Sequence, residues 1–368
     1  MPALQTKRIV FSGINISKGG PLTVLRFFYD YAARALPDYE LIFILQDKNL
    51  LPIGRHRVIE IKNGQRSIFH KLYFEYFGFR RLSRELNADL WLSLNDMSPC
   101  VSARVQAAYF HNAAPFYKLK WLDLLFPARL VPQKFYYYFI YRINIFNNDF
   151  VVVQQQFLKE YVGKSIGFPA ERILINRPET VQEKVVRVKQ DRHGPVIFFC
   201  TTKPEVYKNI HLIADAVGLL KAWGIQNFVV KMTISGDETR YSRYIKKKVE
   251  NYTEIEFVGS QSYDVLQTMV GASDCVLFPS LLESWGLPLS EAAALGKLII
   301  AADLPYAYET LWGYENVVFV SPYHAEALAS EMKKVIENRP VVDVSSELKH
   351  FPGNFTVEQL FYKMLSSK

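Results

Sequence analysis

Short runs of consecutive apolar residues recur along this chain, each closed by a turn signal and followed by a stretch with helical spacing. The runs at 8–12, 41–45, 89–94, 106–110, 150–153 and 172–176 predict strands in the first half. Those at 196–200, 228–235, 254–258, 275–278, 298–302 and 317–320 predict strands in the second. Runs without alternation suit strands buried on both faces, as in parallel sheets joined by helices. Between them, apolar residues three and four apart predict helices over 22–36, 67–86, 156–166, 209–222, 244–249, 325–337 and 355–365. Strand and helix alternate in both halves, which predicts an α/β protein with two doubly wound domains. Residues 181–193 are polar, charged and without apolar period. They read as a linker between an N-terminal domain over 1–180 and a C-terminal domain over 194–350, with a last helix in 351–368 capped by Asn354 or Thr356.

The densest chemistry lies in 274–309, DCVLFPSLLESWGLPLSEAAALGKLIIAADLPYAYE. Here 275–278 and 298–302 predict buried strands, and Pro288 suits a first helical position because its missing N–H would be unpaired there anyway. Gly296 closes the helix. The loop 280–287 therefore sits at the carboxyl end of a strand, where open α/β sheets hold ligands. It carries Glu283, and Glu291 follows in what the pattern predicts to be the first helical turn. An acid beside free helical amides can accept hydrogen bonds from a diol while the amides hold an anion. A ribose with its phosphates presents both. The competing reading makes Glu291 a helix cap and Glu283 a solvated loop acid.

The string S-L-L-E-S-W-G-L-P-L-S-E-A-A-A-L-G resembles the E-x7-E segment of retaining GT-B glycosyltransferases of family 4, the glycosyl transferases group 1 type found in bacterial polysaccharide biosynthesis. That resemblance implies GT-B architecture, two facing Rossmann-like domains with a cleft between them. The donor would be bound mainly by the second domain and the acceptor by the first, with the last helix returning to the first domain. It implies transfer of a hexose-type sugar from a nucleotide-sugar to a glycan or lipid-linked acceptor with retention. Glu283 would hold donor-sugar hydroxyls, and Gly286, Leu287 and Glu291 would lie on the donor.

Other positions match the family less fully. Gly19 and Gly20 follow the first strand, and such a pair lets backbone approach a ligand. The resemblance implies that they lie against the donor phosphates, although the acid–arginine pair usual after the glycines is absent. His111 follows a strand directly, and H-N-A-A-P-F-Y is similar to the loop that places a histidine beside the donor sugar. Lys203 and Lys208 keep the spacing of a diphosphate-clamping Arg and Lys, with the first replaced by lysine, which gives up a bidentate fork. By spacing alone the two lysines read as solvated. No cofactor and no metal are expected, because the lysines and helix amides would meet the diphosphate charge. A sugar phosphorylase, a nucleotide-sugar epimerase and a catalytically inactive nucleotide-sugar-binding subunit stay open as alternatives.

Composition narrows the class. The chain has 368 residues, 49% apolar and 14% aromatic, enough to bury two cores and too apolar for disorder. Cys100, Cys200 and Cys275 are far apart, which disfavours a disulfide framework or metal ligation. Met1 to Arg8 is short and polar, so no secretory leader is expected, and no run reaches the ~18 apolar residues of a membrane span. A cytoplasmic protein is expected, either free or peripheral on the inner face of the membrane, with no nucleic acid partner.

The net charge of +8 comes from two aromatic-rich segments, 64–84 and 118–142, each net +4. One reading makes them an interfacial surface for anionic lipid headgroups. The other packs their aromatics inside and leaves their cations in solvent.

Overall fold

The computed structural model describes residues 7–52, 54–62, 67–126, 130–178, 194–339, 346–349 and 351–367. The predicted linker, 181–193, lies outside them. The chain divides into two compact units, the first made of Met1–Phe116, Pro132–Glu179 and Pro352–Lys368 and the second of Tyr117–Val131 and Thr180–Phe351.

The first unit holds seven parallel strands: β1 (Lys7–Gly13), β2 (Tyr39–Leu45), β3 (Arg57–Glu60), β4 (Ala88–Ser93), β5 (Ala103–Tyr109), β6 (Phe150–Val153) and β7 (Ile173–Ile175). Their order is β3-β2-β1-β4-β5-β6-β7. One face is covered by the helices Gly20–Ala35 and Val357–Leu365, whose Phe28, Leu360 and Phe361 join Ile9, Leu92 and Val152 in one core. Thr356 caps the last helix, accepting from the Gln359 N–H. On the other face a helical stretch over 68–86, with a π turn at Phe74–Gly78, packs Phe79 and Leu86 on Val10 and Trp91. β3 escapes the apolar-run pattern because it is an edge strand whose residues are half-buried or exposed.

The second unit holds β8 (Val196–Cys200), β9 (Phe228–Met232), β10 (Ile255–Phe257), β11 (Cys275–Phe278), β12 (Leu298–Ala302) and β13 (Val317–Val320). All are parallel, in the order β10-β9-β8-β11-β12-β13. The helices Tyr263–Ala272 and Pro305–Thr310 were not expected from the pattern. The first has mixed polarity, and the second is only six residues long.

The first domain is therefore not the unbroken 1–180 predicted. Residues 117–131 belong to the second unit because their apolar side chains are used there. Leu122 and Phe126 pack against its core, and the Phe126 ring lies 5.6 Å from that of Tyr241 and 5.1 Å from that of Tyr244. No described helix is long and apolar enough to cross a membrane.

Candidate functional site

In the second sheet β8 leads away to β9 on one side and β11 to β12 on the other, so the loops after β8 and β11 leave neighbouring strands in opposite directions. Such a switch point opens a crevice at the carboxyl ends of the strands. Lys208 comes from the first loop and Glu283 from the second. Their side chains form an ion pair, Nζ to Oε1 at 2.5 Å, with each side chain 13% exposed. Burial, the largest influence on Lys208, pulls its pKa down. The Glu283 carboxylate and the Tyr207 hydroxyl outweigh it, so the ammonium is held above its usual range. Both residues were expected at the site from the sequence. Their direct pairing was not.

The two loops are tied to each other. The Leu281 N–H donates to the Tyr207 carbonyl at 2.7 Å, and the Tyr306 hydroxyl to the Ser280 carbonyl at 2.6 Å. Asn209, left-handed at φ 59°, spans the Pro279 and Pro322 carbonyls with its side-chain amide at 3.0 and 2.9 Å. Sequence reasoning missed Asn209 and Tyr306. An asparagine just before a helix, directly after a lysine, was the available signal for the first. Lys203 is exposed and makes no ion pair among the described residues. It lies seven residues before the helix Ile210–Ala222, not at its start.

Gly286 ends the acidic loop at φ 87°, a conformation that side chains resist. An added Cβ would also stand 3.4 Å from the Leu289 side chain and 3.7 Å from Cγ of Glu283. The turn starts the helix Leu287–Ala294 one residue earlier than the proline implied. Glu291 is consequently its fifth residue and not in the first turn, which holds no acid. This corrects the expected placement. Glu291 is half-buried and has no described hydrogen-bond partner for its carboxylate, and burial alone pushes its pKa up. Leu287 is half-buried at the helix start.

In the first unit, Gly19 at φ 71° caps the helix that Gly20 begins, and a Cβ built on Gly19 would meet nothing within 4 Å. His111 is 8% exposed, with its ring centroid 4.5 Å from that of Tyr109. Neither ring nitrogen makes a hydrogen bond of good geometry among the described residues, although the Leu94 carbonyl lies near enough to act on the ring as an acceptor. Burial lowers its pKa against the opposing pull of Asp96, so the neutral imidazole is favoured.

Asp96, which the sequence gave no reason to single out, organises this loop. Left-handed at φ 57°, it accepts from the backbone N–H groups of His111 and Asn112 and, at 2.9 Å, from the Tyr141 hydroxyl. The Tyr141 ring stacks on Phe110 with centroids 4.0 Å apart. Among the described residues no three metal-ligating side chains come together.

Residues 181–349 match the family model for Glycosyl transferases group 1. The chain is similar to the O-antigen chain mannosyltransferase RfbU of Salmonella typhimurium, 21% identical over 260 residues, which span 70% of this chain and 67% of that protein. In structure it is similar to the lipopolysaccharide outer core galactosyltransferase WaaB, with TM-score 0.67, 15% identity and 92% of each chain covered. It is also similar to Anabaena HepE, solved in complex with UDP-glucose, with TM-score 0.61, 15% identity and 90% of each chain covered. The chain carries a glycosyl transferases group 1 domain on a GT-B fold.

Proposed function

We propose that the protein moves a hexose-type sugar from a nucleotide-sugar to a glycan or lipid-linked oligosaccharide with retention of anomeric configuration, in the assembly of a cell-surface polysaccharide. The observation that carries this reading is the Lys208–Glu283 pair at the switch point, with Glu291, whose carboxylate has no partner among the described residues, on the helix that follows. RfbU and WaaB act in O-antigen and lipopolysaccharide outer core, and HepE binds UDP-glucose, which supports the class of donor and acceptor.

The chemistry follows from the charges. As the bond between the anomeric carbon and the diphosphate oxygen breaks, negative charge grows on the diphosphate. Lys208 gives one N–H to Glu283 and has two left for a phosphate oxygen. Lys203 and the first amides of Leu287–Ala294 would add to it, and fixed donors aimed at developing charge lower the barrier. No metal is needed in this account. The acceptor oxygen bonds to the anomeric carbon on the face the diphosphate leaves, and its proton passes to a phosphate oxygen. Glu283, held by Lys208, fixes the hydroxyls of the donor sugar and does not attack the anomeric carbon.

A thermal-shift screen of UDP- and GDP-sugars tests this, because a ligand that binds only the folded chain raises its melting temperature. The expected result is a rise with one nucleotide-sugar that persists in EDTA, together with EDTA-resistant transfer or hydrolysis. No rise with any member of the panel would refute the reading. A rise without turnover would point to an inactive nucleotide-sugar-binding subunit.

The acceptor side adds a membrane. On the helical stretch 68–86, Phe69, Tyr73 and Phe77 are 78%, 58% and 71% exposed, and Arg80, Arg81 and Arg84 continue the exposed stripe. One of the expected cations does not contribute. Lys71 is buried and donates to the Asn95 carbonyl at 2.9 Å, and Arg66 lies outside the described residues.

The segment 118–142 is a weaker candidate than its charge suggested. Lys120 sits over the Tyr323 ring, Lys134 donates to the Pro115 carbonyl, and Arg142 folds onto Tyr138. Arg129 lies outside the described residues.

The proposed lipid contact therefore rests on 68–86. Each basic residue near an anionic surface contributes about 1 kcal/mol, screened by salt. Sedimentation with anionic vesicles, release by salt and little binding to neutral vesicles are expected. Replacing Arg80, Arg81 and Arg84 by Glu should abolish the binding and leave donor affinity intact. Equal, negligible sedimentation with both vesicle types at low salt would mean that the acceptor is met in solution.

A further inference from the structure

At the carboxyl edge of the first sheet, two buried polar side chains, His111 and Gln154, meet the same tyrosine and keep hydrogen-bonding capacity that no described group uses. β5 and β6 register Tyr109 against Val152, and His111 and Gln154 follow two residues further on, just past the ends of these neighbouring strands. Tyr109 and Val152 share one core.

The Tyr109 phenol links them. Its ring packs on the imidazole, and its hydroxyl accepts a hydrogen bond from the Gln154 amide while donating to the Asn176 carbonyl at 3.0 Å. The amide N–H of Gln154 is thereby used and its Oε1 is left without a partner among the described residues, while the His111 ring has the Leu94 carbonyl near one nitrogen and keeps the other. Gln154 is 4% exposed. Unsatisfied buried acceptors cost stability and are kept where something other than the fold uses them.

The chemistry of the vacant groups selects the ligand. Oε1 can only accept a hydrogen bond, and a neutral imidazole offers one donor and one acceptor. An ionised phosphate brings no proton to Oε1. A hydroxyl both donates and accepts, and neighbouring hydroxyls on one ring can meet both side chains.

We infer that Gln154 is a sugar-recognition residue: its Oε1 accepts from a hydroxyl of a sugar substrate whose ring also meets His111, and so selects the orientation of that hydroxyl. The inference rests on the glycosyl-transfer reading and adds to it a specificity contact in the first unit. The hydroxyl can come from the donor sugar or from the acceptor sugar. In either case, an epimer that turns the hydroxyl away leaves a buried carbonyl unpaired, the situation in which polar sites discriminate most strongly.

Calorimetry on the full chain separates the possibilities, using UDP, GDP, UDP-glucose and GDP-mannose against wild type, Gln154→Met and Gln154→Glu. Methionine keeps the shape and removes the acceptor, whereas glutamate keeps an acceptor oxygen. If the hydroxyl belongs to the donor, Gln154→Met should weaken the nucleotide-sugar by at least about tenfold without changing affinity for the diphosphate alone. Gln154→Glu should recover part of the loss. If it belongs to the acceptor, donor affinity holds in Gln154→Met. Binding of free mannose, galactose or glucose, followed by saturation-transfer NMR with the diphosphate present, is then lost.

Wild-type behaviour of Gln154→Met in both arms would overturn the inference and leave the glycosyl-transfer reading standing. A wild-type chain that bound neither UDP nor GDP would sink that reading and this inference together.

Discussion

Lys208→Met and Glu283→Gln should each reduce sugar transfer by about 10²–10³-fold, the loss seen when one fixed donor or orienting charge is taken from a preorganised site. Combining them should not multiply the losses. Residues that act as one unit are non-additive, and the pair at 2.5 Å is a single unit. Stability should follow a different pattern. Lys208→Met leaves Glu283 charged and largely buried without its partner, which costs folding free energy. The double variant removes both charges and should recover most of that cost, giving a coupling of about 1–3 kcal/mol in a double-mutant cycle. Melting temperatures with initial rates for the four proteins decide the matter. Activity that recovered along with stability in the double variant would make the pair a structural bridge, and the proposed chemistry would have to move elsewhere.

The contrast between what the sequence reveals and what it hides has a physical origin. Buried parallel strands must be apolar on both faces, so the sheet-forming runs stand out, and the glycine and proline of 286–288 carry their backbone requirements openly. By spacing alone Lys208 read as a solvated lysine and Glu283 could be a solvated loop acid, and only the resemblance of their segments to the family implied site roles for both. Their pairing is a consequence of β8 and β11 being neighbours, a fact of strand order that lies outside any local pattern. Asp96 was hidden for the same reason, since its partners His111, Asn112 and Tyr141 come from distant parts of the chain.

Charge misled the sequence reading in another way. A cluster of basic residues near aromatics reads as surface, yet the Lys71 ammonium is buried among Asn95 and neighbouring groups, and Lys120 and Arg142 lie on tyrosine rings. Helical periodicity assigns faces correctly only where one face is plainly apolar. The helix at Tyr263–Ala272 and the segment 117–131 do not meet that condition.

Glu291 should show a conflict between stability and function that its environment already contains. Burial raises its pKa, and no described charge or hydrogen bond on its carboxylate opposes this. A raised folded-state pKa means that the protonated form suits the fold better. The stabilising contribution is therefore present below the unfolded-state carboxylate pKa and is lost as pH rises through the folded-state value. At neutral pH the ionised carboxylate burdens the free protein, and Glu291→Gln should raise its melting temperature at pH 7 while changing it little at pH 4.

Binding should move the other way. A ribose diol donating to the ionised carboxylate makes hydrogen bonds of about 1–3 kcal/mol in total, so Glu291→Gln should weaken nucleoside diphosphate affinity by roughly 5- to 150-fold. In the wild type, affinity should strengthen as pH rises through the Glu291 pKa, and the variant should lose that dependence. Calorimetry with UDP and GDP between pH 4 and 8, beside melting curves of both unliganded proteins, measures the two effects independently. A variant that melts higher yet binds nucleotide as the wild type does, at every pH, would remove Glu291 from the nucleotide site and leave it a strained helix acid.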